Sequence, residues 1–134
     1  MDFLPLTRAD DLGWHALRDE IAPWIGERAV TLFSYAISDE YGSAVTTGYF
    51  RDILTTAGDD PDHPQVTETE QLIIDWGRFI VSSPRDIPQA FYARLEAAFS
   101  PGRRLALLSF AARVVAINLV NTVGRVSVDA QPGR

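Results

Sequence analysis

The sequence predicts an all-α protein, a compact bundle of about six helices. Three observations carry that expectation. Apolar residues recur at three- and four-residue spacing along most of the chain, and cap and stop residues punctuate those stretches. No run of alternating β-branched residues is long enough to propose a sheet. With 134 residues, 46% of them hydrophobic and 22% charged, the chain is too apolar to stay disordered and has the length of one core. A single domain over 1–134 is expected.

A first helix is expected over Asp10 to Ala22, with Leu12, Ala16, Leu17 and Ile21 on one face and Pro23 ending or kinking it. A second follows over Trp24 to Ile37. The third is placed from Ser38 or Asp39 to Thr56, because Tyr41, Val45, Tyr49 and Ile53 recur every fourth residue beside Phe50 and Leu54. Gly58 is its expected stop.

The acidic stretch Asp59 to Pro64 carries two prolines and reads as a solvated loop. Thr67 with Glu70 is a capping-box signature for a fourth helix whose core face is Leu72, Ile73, Trp76, Phe79 and Ile80. Ser82, Ser83 and Pro84 stop it. Asp86 with Gln89 gives a weaker start signal for a short helix bearing Phe91, Leu95 and Phe99. Ser100 and Pro101 supply a cap and a first-turn proline to the last helix, which runs to Val123 before Gly124. Arg125 to Arg134 reads as a partly extended tail.

Composition excludes several chemistries. There is no cysteine, so disulfides, thiolate metal sites and cysteine nucleophiles are absent. All twelve basic residues are arginine, which removes lysine Schiff-base chemistry. A net charge of -6 without a basic patch argues against nucleic acid as a partner. The N-terminus lacks a signal-peptide pattern, so a cytoplasmic location is expected. The segment Leu105 to Val123 holds 14 apolar residues in 19, nearly enough to span a bilayer, yet Arg113, Asn118 and Asn121 lie within it. A helix buried in protein is expected rather than a membrane span. Its apolarity on nearly every side places it at the centre of the bundle and calls for a second subunit, so a homo-oligomer is expected.

The segment Glu27 to Thr56 resembles the core of the carboxymuconolactone decarboxylase and alkylhydroperoxidase D-like family. Thiol-active members carry a glutamate, then twelve residues later a Cys-x-x-Cys at the head of the next helix, then a histidine four residues on. The matching frame here is Glu27, eleven intervening residues, Asp39-Glu40-Tyr41-Gly42, Ser43-Ala44-Val45 and Thr46. Phe33 to Ile37, Tyr49 to Leu54, Leu72 to Trp76 and Asn118 to Asn121 extend the likeness over residues 17–129. Asp39 and Gly42 stand at the cysteine positions and Thr46 at the histidine position. The resemblance therefore implies the family's fold and ring-like or dimer-of-dimers assembly without its thiol peroxidase cycle.

Two roles are open for Asp39. As a helix N-cap it suits both the capping geometry and the helix dipole. Alternatively, Glu27 and Asp39 form a carboxylate pair, one member desolvated and serving as a general acid or base. Thr46, Asn118 and Asn121 either bridge neighbouring helices or line a ligand pocket beside Glu27. His15 reads as a surface or interface residue. His63, among Asp59, Asp60 and Asp62, has hard-ion ligands nearby, but the spacing fits no EF-hand and no metal is assigned. No cofactor is expected. Three classes of function follow: a cysteine-free family member binding a small ligand or partner, a carboxylate-dependent lyase or isomerase of a lactone-type acid, and a structural subunit.

Overall fold

The computed structural model describes residues 13–125. Within them the chain forms α1 Trp14–Ile25, α2 Glu27–Tyr41, α3 Ala44–Thr56, α4 Glu68–Ser82, α5 Gln89–Ala98 and α6 Pro101–Val123, and no strand. The all-α expectation holds. The start proposed at Asp10, the apolar position Leu12 and the tail beyond Arg125 lie outside the described residues.

The expected boundary at Pro23 moves. α1 continues through Pro23 to Ile25, since a proline so near a helix's end removes only a late backbone hydrogen bond. The stop is Gly26, whose φ of 92° and ψ of 151° belong to glycine almost alone. One residue thus separates the first two helices, and the second begins at Glu27 rather than Trp24.

A larger correction concerns Asp39. α2 runs on through Asp39 to Tyr41, and Gly42, with φ 92° and ψ 17°, closes it by donating to the Ser38 carbonyl. Ser43 then caps α3, its hydroxyl accepting from the Thr46 N–H at 3.4 Å. Asp39 is therefore not an N-cap: it lies in the last turn of one helix, three residues before the glycine that permits the next. At the far end of α3, the Gly58 and Asp59 N–H groups bond back to Thr55 and Leu54, a Schellman turn.

The later starts divide in the same manner. Thr67 and Glu70 form the complete capping box at the head of α4. Ser100 caps α6 with Pro101 in its first turn. α5, however, starts after Pro88 with no side-chain cap, so the Asp86 signal does not open a helix.

α2, not α6, is the centre of the bundle. Ala29, Val30 and every residue from Leu32 to Ser38 are buried, and seven consecutive buried residues span about two turns, leaving no side to solvent. Phe33 stacks between Trp76 of α4 and Phe110 of α6, with centroids 6.0 and 6.1 Å away. Gly77 brings α4 close: a Cβ there would stand 3.1 Å from Ile37 Cγ1 and 3.2 Å from Phe33 Cδ1.

α6 packs through one face only, with Leu107, Phe110, Val114 and Ile117 fully covered. Leu105, Leu119 and Val123 stay 65%, 49% and 71% exposed. By length and composition α6 is a helix that could cross a membrane. α1 lies antiparallel on it, with Trp14 beside Phe110 and Trp24 beneath the Arg103 guanidinium.

Candidate functional site

Because Gly26 turns α1 sharply into α2, the first helix stands away from α3 and leaves a cleft between them. The cleft has a volume of about 530 Å³, within the range of small-molecule sites. Its apolar floor is Val30, Phe50 and Leu54, with the exposed Ile53 at the mouth and Trp14 from α1 forming one wall. Polar groups gather around it: Arg18, Glu27, Arg28, Thr31, Tyr49 and Asp59.

Trp14 is buried, and its indole Nε1–H has no acceptor among the described residues. A buried donor without a partner is costly, about 1–3 kcal/mol.

The rim is held by ion pairs. Arg18 bridges Gly26 from α1 to Glu27 with a 2.5 Å contact. Arg28 makes a fork to Asp59, bonds Glu70 at 2.6 Å and donates to the Gln65 carbonyl at 2.6 Å. Hydrogen bonding to Asp59 chiefly raises the Arg28 pKa, so this arginine stays charged. Glu70 serves twice, since the same carboxylate oxygen accepts from the Thr67 N–H of the capping box. Arg28 thereby ties the cleft wall, the loop after α3 and the head of α4 into one unit.

The expected carboxylate pair does not form. Glu27 and Asp39 occupy opposite ends of one helix, twelve residues and about 18 Å apart. Glu27 lines the cleft with its side chain 66% exposed and paired to Arg18. Asp39 instead shares Arg78 of α4 with Glu40, at 3.1 and 3.2 Å. Chemistry that needs both carboxylates on one substrate has no geometric basis here.

Thr46, Asn118 and Asn121 come together elsewhere, in a buried polar seam where α6 crosses the break between α2 and α3. Asn121 Nδ2 donates to Thr46 Oγ1 at 2.8 Å, and Thr46 Oγ1 lies 3.3 Å from Ser43 Oγ. Asn118 Nδ2 donates to Ser38 Oγ at 3.1 Å and to the Val114 carbonyl at 2.8 Å. All three are fully buried, and none lines the cleft beside Glu27. Their geometry is that of helix bridging.

Trp14, Arg18, Ser34, Tyr49 and Phe50 are cleft residues that inspection of the sequence passes over. They stand at core-like spacings, and only the turn at Gly26 makes a cleft of them. His63 is exposed in its loop, and among the described residues no three His, Asp or Glu side chains converge as a metal site.

Fold and site together define a class: an all-α protein with a half-open, amphipathic cleft beside its central helix. Comparison with protein-family models, with curated proteins and with solved structures finds no match.

Proposed function

We propose that the chain is a cysteine-free protein of the carboxymuconolactone decarboxylase and alkylhydroperoxidase D-like type. In this reading it works as an oligomer without thiol peroxidase activity and binds a small amphipathic ligand in the cleft between α1, α2 and α3. The observation that carries the ligand is the cleft itself: an apolar floor, the Trp14 ring as a wall, and Arg18 at the rim. A ligand with an apolar body and a carbonyl or carboxylate group meets all three. The family part rests on the sequence frame from Glu27 to Thr56 alone, since Asp39 and Gly42, at the cysteine positions, close α2 instead of opening α3. Ligand binding is preferred to a lactone lyase because Glu27 stands in the cleft without Asp39.

Anilinonaphthalene sulfonate, an aromatic body bearing an anion, is a suitable probe. It should bind the native protein saturably at one site and quench Trp14. Ile53→Trp, which places bulk at the cleft mouth, should weaken binding at least tenfold while leaving the far-UV circular dichroism unchanged. Binding that does not saturate, or that Ile53→Trp leaves unaltered, would overturn the cleft as the site.

A further inference from the structure

The charged groups around the cleft are held to very different degrees. Arg28 is fully engaged: Nε and Nη2 fork onto Asp59, Nη1 reaches Glu70 at 2.6 Å, and Nη2 also serves the Gln65 carbonyl. Its two carboxylate partners are largely covered, with side chains 20% and 12% exposed. That arginine belongs to the scaffold and has nothing left for a ligand.

Arg18 and Glu27 are held otherwise. Glu27 is the first residue of α2, directly after Gly26, and its side chain has the Arg18 guanidinium as its one partner among the described residues. It stands 66% exposed. Arg18 is half as exposed and lies over the Trp14 ring, 5.9 Å from the centroid, an anchor on the cleft wall that does not involve Glu27. A third charge, Asp19, comes within 3.5 Å of Arg18 Nη1 but is not among the residues that line the cleft.

An exposed ion pair adds little stability, because water and salt solvate both charges almost as well. Glu27 can therefore swing into solvent, breaking no other contact, while Arg18 stays over Trp14. A neutral carbonyl would not drive that exchange, since it replaces a bond between two charges with a weaker one. A carboxylate or sulfonate replaces like with like, and one negative charge restores the balance that the departing glutamate leaves. A dianion would add a surplus charge beside Asp19.

We infer that Glu27 is a displaceable counter-ion that makes the cleft selective for monoanions. It occupies Arg18 in the free protein and yields it to the acid group of an amphipathic ligand whose apolar body lies on Val30, Phe50 and Leu54. Such an exchange presupposes the ligand-binding cleft proposed above and narrows its ligand from a carbonyl or an acid to the acid alone.

Two probes with the same rings test it: anilinonaphthalene sulfonate carries the anion, and N-phenyl-1-naphthylamine lacks it. Cleft binding of each is the part that Ile53→Trp removes. Glu27→Gln keeps the side chain's shape and removes the competing charge. It should tighten the sulfonate about two- to fivefold, the range of an exposed ion pair, and leave the neutral probe unchanged. Arg18→Gln should weaken the sulfonate roughly fivefold or more and spare the neutral probe. Asp19→Asn takes the same unit of charge from beside Arg18 but not from the cleft, so its effect should be much smaller than that of Glu27→Gln. Thermal melting should be nearly unchanged in each variant. If Ile53→Trp removes neither probe, the cleft reading fails and the exchange with it. If cleft binding is present but Glu27→Gln tightens both probes alike or neither, or Arg18→Gln weakens neither, the cleft stands and Glu27 is no selector. An Asp19→Asn effect equal to that of Glu27→Gln would reduce the selectivity to the general field of the surface and overturn the exchange.

Discussion

Asp39 and Ser43 show how little separates one local role from another. Both are good capping residues four positions apart, and an aspartate in a polar stretch between two apolar runs carries the usual start signal. The residue that decides is Gly42, whose left-handed backbone lets one helix end and Ser43 begin the next. Ser43→Ala should therefore cost about 0.5–2 kcal/mol in chemical denaturation. Asp39→Ala, which loses only a surface contact to Arg78, should cost about 1 kcal/mol or less. A larger loss at Asp39 than at Ser43 would return the cap to Asp39. The motif Gly-Ser-x-x-Thr was legible in the sequence, but the heptad-like recurrence of Tyr41, Val45, Tyr49 and Ile53 across the break concealed it. Tyr41 belongs to α2 and the other three to α3.

Among the elements, those with chemically complete end signals were read correctly, as with Thr67 to Glu70 and Ser100-Pro101. The element least visible in advance was the loop between α3 and α4, whose composition promised only solvation. It is clamped at both ends: Arg28 holds Asp59, and Arg51 grips Asp62 with two 2.9 Å bonds while also donating to the Tyr35 hydroxyl. Such long-range partners leave no local pattern in the chain, since 31 residues separate Arg28 from Asp59. The Arg51 hydrogen bonds hold the Asp62 carboxyl below its ordinary value of 3.8. A carboxyl depressed in the folded state adds stability that is fully present above its unfolded value and is lost as pH falls through the lower, folded one. The loop should thus stay clamped at pH 5 and release only well below pH 4. Protection of the Asp62 and His63 amides, measured against their intrinsic exchange rates, should fall in that acid window in the parent and be low already at pH 5 in Asp62→Asn, while Arg28 still holds Asp59. An acceleration centred near pH 6 would contradict this assignment.

For the molecule as a whole, the sequence revealed that the chain is helical and where most helices lie, but not which helix is central. α6 is the most continuously apolar segment, yet α2, with Ala29, Ser34, Ala36 and Ser38 among its larger residues, is the one that neighbours surround. Small side chains admit close neighbours, and hydropathy does not register that. Gly77 of α4 makes one of these close approaches. Phe33 and Ile37, which a side chain at position 77 would strike, are completely buried and have nowhere to move. Gly77→Val should consequently destabilise the fold by roughly 1–3 kcal/mol despite removing a helix-weakening glycine. A gain in the denaturation midpoint would mean that α2 and α4 can separate.

Gly26 has one consequence that belongs to inheritance rather than to energy. The residue is exposed, and a Cβ built on it would meet nothing within 4 Å, so by contact alone any amino acid should serve. Its backbone angles nevertheless admit glycine almost exclusively. The position that opens the cleft is thus written in the codon for an absent side chain. In a saturation library it should be read as one of the least variable sites on the surface, while Gly48 and Gly102, equally uncrowded but at ordinary helical angles, drift freely.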